Sequence, residues 1–127
     1  MKIVGTGIDL VEVERIEQSI ERFGERFLKR VFTAEEIRYC RSKANSAERF
    51  AARFAAKEAG MKAIGTGWHG GVTWHDLEVK RESSGRPLLH YSGAAARYAA
   101  LLGATRVWLS LSHTGGHAIA QVILEGD

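Results

Sequence analysis

Hydrophobic positions in the first third of the chain recur at two different periods. Ile3, Val4 and Ile8, with the small residues Gly5, Thr6 and Gly7 between them, predict a short strand over residues 2–9 that ends in a loop and presents Asp9 at its edge. From Val13 the period lengthens. Val13, Ile16, Ile20, Phe23 and Phe27 are spaced 3, 4, 3 and 4, the buried seam of a single amphipathic helix. Arg15, Arg22, Arg26 and Lys29 share another face of it. Thr33-Ala34-Glu35-Glu36 has the capping-box form, a hydroxyl at the cap and a carboxylate three residues later, and predicts a second helix through Ile37 and Cys40. After the polar stretch 41–45, an Ala-rich segment over 46–64 carries Phe50, Phe54 and Met61 at helical spacing and should stop where Gly65-Thr66-Gly67 supplies positive φ. Val72, Trp74, Leu77 and Val79 then predict a strand over 72–80, Ser83-Ser84-Gly85 a turn, and residues 87–91 a second strand that Pro87 confines to an edge or a start. A helix over 92–102 closed by Gly103 and two strands, 106–112 and 118–124, complete the chain.

Two β-rich stretches framing helices, without strict βαβ alternation, predict an α+β fold: a compact single domain over residues 1–127, with a small antiparallel sheet packed against a long helix. At 127 residues and 45% apolar content such a domain can bury its own core. Met1 to Gly7 offers no apolar run long enough for a signal peptide, and no window reaches the ~18 apolar residues of a membrane span. The expectation is a cytoplasmic protein that binds no membrane. The lone Cys40 agrees with that compartment, and its place inside a helix suits packing rather than nucleophilic chemistry. The net charge of +3 is unevenly placed: residues 1–62 hold 13 Lys and Arg against 10 Asp and Glu, and residues 63–127 hold 5 against 5. A basic first half is compatible with an acidic partner, a phosphate-rich cofactor, nucleic acid, or simply a solvated helix surface.

Three clusters have the makings of a site. Gly5-Thr6-Gly7-Ile8-Asp9 follows the first strand, but no helix begins at its third position and no further glycine completes a dinucleotide fingerprint. In the long helix, Glu58 lies four residues after Phe54 and three before Met61, close to their apolar face, where a carboxylate is costly unless it is paired or bound to metal. Its plain alternative is an i,i+4 pair with Lys62. Asp9 and Glu58 together match the one or two carboxylates that Mg²⁺ takes from protein, the arrangement phosphoryl transfer requires. In the third cluster, Ser112 and His113 are adjacent on a strand and point to opposite faces, which opposes a hydrolase triad, and no Gly-x-Ser-x-Gly elbow is present. Ser110 and Ser112 share one face and suit hydroxyl donors to phosphate. The other histidines, at 69, 75, 90 and 117, lack metal-ligand spacing.

Taken together and in order, Gly7-Ile8-Asp9 with Arg15-Ile16, Arg53-Phe54-Ala55-Ala56-Lys57-Glu58-Ala59 with Lys62-Ala63 and Gly65-Thr66-Gly67, Gly85-Arg86-Pro87, and Ser110-Leu111-Ser112-His113-Thr114 with Ala118-Ile119-Ala120 resemble the holo-acyl-carrier-protein synthase family of 4'-phosphopantetheinyl transferases, over nearly the whole chain. Only the loop Trp68-His69-Gly70-Gly71 has no clear counterpart in that pattern. The resemblance implies that Asp9 and Glu58 hold Mg²⁺ against the diphosphate of coenzyme A, with Glu58 as the base and Asp9 as the alternative. It implies that Arg53, Lys62, Gly65, Ser112 and His113 contact the nucleotide and its phosphates, with Lys62 also stabilising charge in flight. It further implies a homotrimer with the site between neighbouring subunits, and an acidic acyl carrier protein docked on Arg15, Arg22 and Arg26. The competing expectation is a non-catalytic module for nucleic acid or phosphate. The interleaved acidic residues and the lack of a basic stripe with aromatics oppose it.

Overall fold

The computed structural model describes residues 1–127. Strand β1 runs over Lys2–Glu12, and α1, Val13–Phe23, begins directly after it. The single predicted helix is two: Gly24, at φ +56°, ends α1, and α2 covers Glu25–Val31. The 3,4,3,4 periodicity persists across this break, which is why it concealed it. Helix α3, Ala34–Arg41, starts at the expected capping box, with Thr33 Oγ1 accepting from the Glu36 amide and Glu36 returning a bond to the Thr33 amide at 2.8 Å. Helix α4 spans Ser46–Ile64, and Gly65 at φ +77° closes it. Residues 72–76 form no strand. Thr73 and Asp76 exchange cap bonds around a single 3₁₀ turn, Trp74–Asp76, and β2 is only Leu77–Arg81, paired with β3, Pro87–Tyr91. Helix α5, Gly93–Leu101, leads to β4, Ala104–Thr114, and β5, His117–Gly126. These last strands are longer than expected because Gly115 and Gly116, both at positive φ, close a two-residue hairpin.

The predicted single sheet is likewise two: an antiparallel β1-β5-β4 sheet and the separate β2-β3 hairpin. α4 runs between them. On the first sheet, alternate residues Gly5, Gly7, Asp9 and Val11 face the helix together with Ala118, Ala120, Val122 and Leu124 of β5, four residues at 1% exposure or less. The approach is close enough that side chains are excluded. A Cβ on Gly7 would stand 1.9 Å from the Ala59 carbonyl oxygen, and one on Gly5 2.3 Å from that of Ala63. On the other side of α4, Gly60 makes room for Leu77 and Leu89, and the Tyr91 hydroxyl donates to the Gly60 carbonyl at 2.7 Å.

One ionic group lies inside this core. Lys57 Nζ, fully buried, donates to Glu36 Oε1 at 2.7 Å and to the carbonyls of Leu77 at 2.7 Å and Trp74 at 3.2 Å. Glu36 Oε2 accepts from the Val79 amide at 2.7 Å. Burial pushes the Lys57 pKa down, and the Glu36 carboxylate opposes that shift. Every ammonium proton has an acceptor, the condition under which a desolvated pair is tolerated. No helix is long and apolar enough to cross a membrane.

Two substitutions test this framework by urea unfolding at pH 7. Gly7→Ala should destabilise by about 3 kcal/mol or more, since backbone rather than a flexible side chain must move. Lys57→Met should cost about 3–5 kcal/mol by stranding the Glu36 carboxylate in the core.

Candidate active site

Helix α4 is submerged from Phe50 to Ile64 except along one line. After its first turn, Phe54, Glu58 and Lys62 alone reach the surface, four residues apart and therefore on one stripe. Asp9 meets this stripe from β1. It is not at a strand end, as expected, but in mid-strand opposite Ala120, with β1 itself forming an edge of the sheet. Lys62 Nζ donates to Asp9 Oδ1 at 3.1 Å and to the Ile8 carbonyl at 2.9 Å, so the lysine ties the helix to the strand instead of bonding Glu58 along the helix.

Glu58 is half-buried. Burial raises its pKa, the neighbouring Asp9 charge raises it further, and Lys62 partly offsets the two. Two carboxylates thus compete for one exposed ammonium, and the corner is short of positive charge. Its donors are carboxylate oxygens, with no cluster of three or more His, Cys or acidic residues. A hard divalent cation that keeps most of its waters and takes one or two protein carboxylates fits this donor set; Zn²⁺, which wants four N or S ligands, does not.

A second cluster lies at the opposite edge of the sheet. Arg53, only 4% exposed, lays its guanidinium 4.3 Å from the Tyr39 ring centroid, and its Nε makes no hydrogen bond. Arg81 approaches the same ring at 4.7 Å, and the Tyr39 hydroxyl accepts from Arg81 and, at 3.2 Å, from Arg49. These side chains and His113 line a cavity of about 210 Å³. His113 Nδ1 lies 2.7 Å from Glu48 Oε2 at the start of α4. A buried guanidinium with a free N–H among further cations is a site for a multiply charged anion. Sequence reasoning singled out Arg53 and His113 here but missed Tyr39, Arg49 and Arg81. The i,i+4 spacing of Arg49 and Arg53 was the available signal.

The expected site residues therefore fall into separate groups. Asp9, Glu58 and Lys62 come together; Arg53 and His113 come together elsewhere. Five residues separate Arg53 from Glu58, about 140° around the helix. Gly65 caps α4 next to the first group, with open space where a side chain would be. Ser112 joins neither group. Leu10, Ile119 and Ser112 are aligned across the outer face of the sheet, while Asp9, Ala120 and Leu111 are aligned across the face turned to α4. Arg15 and Arg22 are exposed on α1, and Arg26 is exposed on α2, beyond the break at Gly24. Cys40 is fully buried, with a thiol pKa pushed up to about 11 by desolvation, and takes no part in chemistry.

A family model described as the 4'-phosphopantetheinyl transferase superfamily matches residues 5–122. The chain is 67% identical to the holo-[acyl-carrier-protein] synthase of Koribacter versatilis over 97% of its own length and 98% of the relative's. Among solved structures it resembles the Neisseria meningitidis holo-[acyl-carrier-protein] synthase, with a TM-score of 0.88 and 34% identity over 98% of this chain and 99% of that one. It also resembles the Helicobacter pylori enzyme solved in complex with coenzyme A, with a TM-score of 0.83 and 31% identity over 94% and 99%. Given a match spanning nearly every element, including both α4 clusters and the strands that frame them, the chain belongs to the 4'-phosphopantetheinyl transferase superfamily.

Proposed function

We propose that this chain, acting throughout its length as one transferase domain, moves the 4'-phosphopantetheine arm of coenzyme A onto a serine of an apo acyl carrier protein and releases 3',5'-ADP. The observation that carries this reading is the Asp9, Glu58 and Lys62 corner, a carboxylate pair with one ammonium on the only open stripe of a buried helix. The serine oxygen attacks the β-phosphorus. The bond from that phosphorus to the oxygen bridging it to the α-phosphorus breaks, and the electron pair leaves with 3',5'-ADP. Asp9 and Glu58 would hold Mg²⁺, which would supply charge neutralisation at the diphosphate. Lys62 adds a second positive charge beside the reacting phosphorus. Glu58 accepts the serine proton. Asp9, already committed to Lys62, is the weaker alternative.

The basic pocket of Arg53 and His113 suits the nucleotide phosphates, while Gly65 leaves room for close approach beside the acidic corner and Ser112 offers a hydroxyl from the outer face of the sheet. Within one subunit this pocket and the acidic corner lie on opposite edges of the sheet and opposite sides of α4. Supporting a homotrimer with the cleft between subunits is the outer face of the sheet, where Ile8 is 54%, Leu10 63%, Ile119 37% and Trp108 38% exposed. A patch of this kind suits an interface, and Ser112 lies on it. Arg15, Arg22 and Arg26 are the docking row for the acidic carrier. The compartment is the cytoplasm, where apo carrier protein and coenzyme A are both available. A nucleic-acid module finds no comparable support, because the densest cationic group is a small cavity around Tyr39 rather than a stripe.

Intact-mass analysis of apo carrier protein incubated with this chain, coenzyme A and Mg²⁺ should show the gain of one phosphopantetheine, lost in EDTA. An unmodified carrier with folded enzyme would refute the assignment. Glu58→Gln should abolish the gain and also reveal the strain at the corner. Because the folded-state pKa of Glu58 lies above its unfolded value, wild type loses stability as pH rises past about 4.5 while the Gln variant does not. The melting temperature without metal should therefore be equal at pH 4 and higher in the variant at pH 7.

A further inference from the structure

From the loop after α4 runs a series of closely packed, tilted aromatic rings that none of the chemistry above uses. The Trp68 ring centroid lies 3.8 Å from that of Trp74, which lies 5.1 Å from that of Phe54. Three rings thus run from the loop onto the open stripe of α4 and stop one turn before Glu58. The backbone of Trp74 is anchored by Lys57, which donates to its carbonyl, and its ring packs on Phe54. Trp68, packed against Trp74, remains 39% exposed. A rigid indole face open to water, held at low conformational cost, is the side chain most enriched at binding anchors.

What surrounds it limits the occupant. Trp68 and Trp74 border a groove of about 800 Å³ whose other wall is Lys29 and Arg30 of α2. Arg30 also lines the next concavity, with Phe23, Arg26 and Phe27. No carboxylate lines either one. The two share Arg30 and together line up aromatic rings and cations, with Arg26 of the arginine row among them. Their complement is an amphipathic helix with carboxylates on one side and aliphatic side chains along its seam.

We infer that Trp68 is a specificity-determining residue for the acyl carrier protein: its ring receives an aliphatic side chain of the carrier's acidic helix while Lys29 and Arg30 meet that helix's carboxylates. The inference rests on the transferase reading and extends the carrier footprint past α2 to the loop at residues 68–71. Steady-state transfer, with coenzyme A and apo carrier varied separately, tests it on Trp68→Ala, Trp68→Phe and the charge reversal Lys29→Glu/Arg30→Glu. Trp68→Ala should raise the KM for carrier about tenfold and leave kcat and the KM for coenzyme A unchanged; Phe should restore most of the loss. The charge reversal should raise the carrier KM further at low salt and less at high salt. Tryptophan emission should shift to the blue when carrier is added to wild type and not to Trp68→Ala. A raised KM for coenzyme A alone would overturn the inference by giving the groove to the pantetheine arm, and unchanged values for both substrates would overturn it outright. Absence of transfer by the wild type would instead defeat the transferase reading.

Discussion

The backbone of one helix lies directly against the backbone of one strand. Gly5 and Gly7 of β1 present no side chain to α4, and the carbonyls of Ala63 and Ala59 occupy the space where Cβ atoms would stand. The residues that make this contact are chain neighbours of those that make the acidic corner. Glu58 precedes Ala59, Lys62 precedes Ala63, and Asp9 is the next residue after Gly7 to face the helix. Side-chain packing at ordinary separation would hold Asp9 and Lys62 too far apart for a 3.1 Å bond. The small residues that look like generic turn chemistry after a strand are therefore what sets the geometry of the site.

The opposite side of α4 has a different kind of constraint. There the helix meets α3, the 3₁₀ turn and β2 through Lys57 and Glu36, whose hydrogen bonds reach all of these elements. A buried ion pair adds little net stability compared with apolar residues of the same volume, but it tolerates few alternative arrangements, because any slip strands a charge. Hydrophobic contacts among so many alanines would permit the helix to slide or rotate. The pair fixes its rotation, and with it the direction in which Phe54, Glu58 and Lys62 face.

Much of this was legible in the sequence, and the failures have identifiable causes. The capping box at Thr33, the full extent of α4 and the β3 boundaries follow from local chemistry and were read from it directly. The break at Gly24 escaped because the hydrophobic period continues through it. The stretch 72–76 reads as strand because Val72 and Trp74 alternate correctly, whereas the Thr73 and Asp76 cap bonds, which periodicity does not register, turn the chain instead. Lys57 stands in the sequence as a charged residue on the buried face, seven residues from Phe50 and four from Met61, but its partner Glu36 lies on another helix and no local pattern pairs the two. Asp9, Glu58 and Lys62 were found because carboxylates beside apolar faces demand explanation. Tyr39 and Arg81 were not, because their convergence on Arg53 depends on tertiary placement across 42 residues of chain.

The separation of the two clusters has a consequence for how such a site can work. In the proposed reaction a single ligand with a diphosphate and a further phosphate would satisfy both the carboxylate corner at the β1 edge and the arginine pocket at the β4 edge. Adjacent strands are about 4.8 Å apart, so the two edges of this three-stranded sheet are about 10 Å apart across its face, and α4 fills the direct path. The ligand cannot pass through a helix whose residues there are alanines at 0–4% exposure. The proposed homotrimer meets this constraint by drawing the pocket for the diphosphate and the pocket for the nucleotide phosphates from different subunits. In that proposal the exposed Ile8, Leu10 and Ile119 of the outer sheet face would join subunits and set an acidic corner of one against a basic pocket of the next, so that catalysis would be a property of the assembly rather than of the chain.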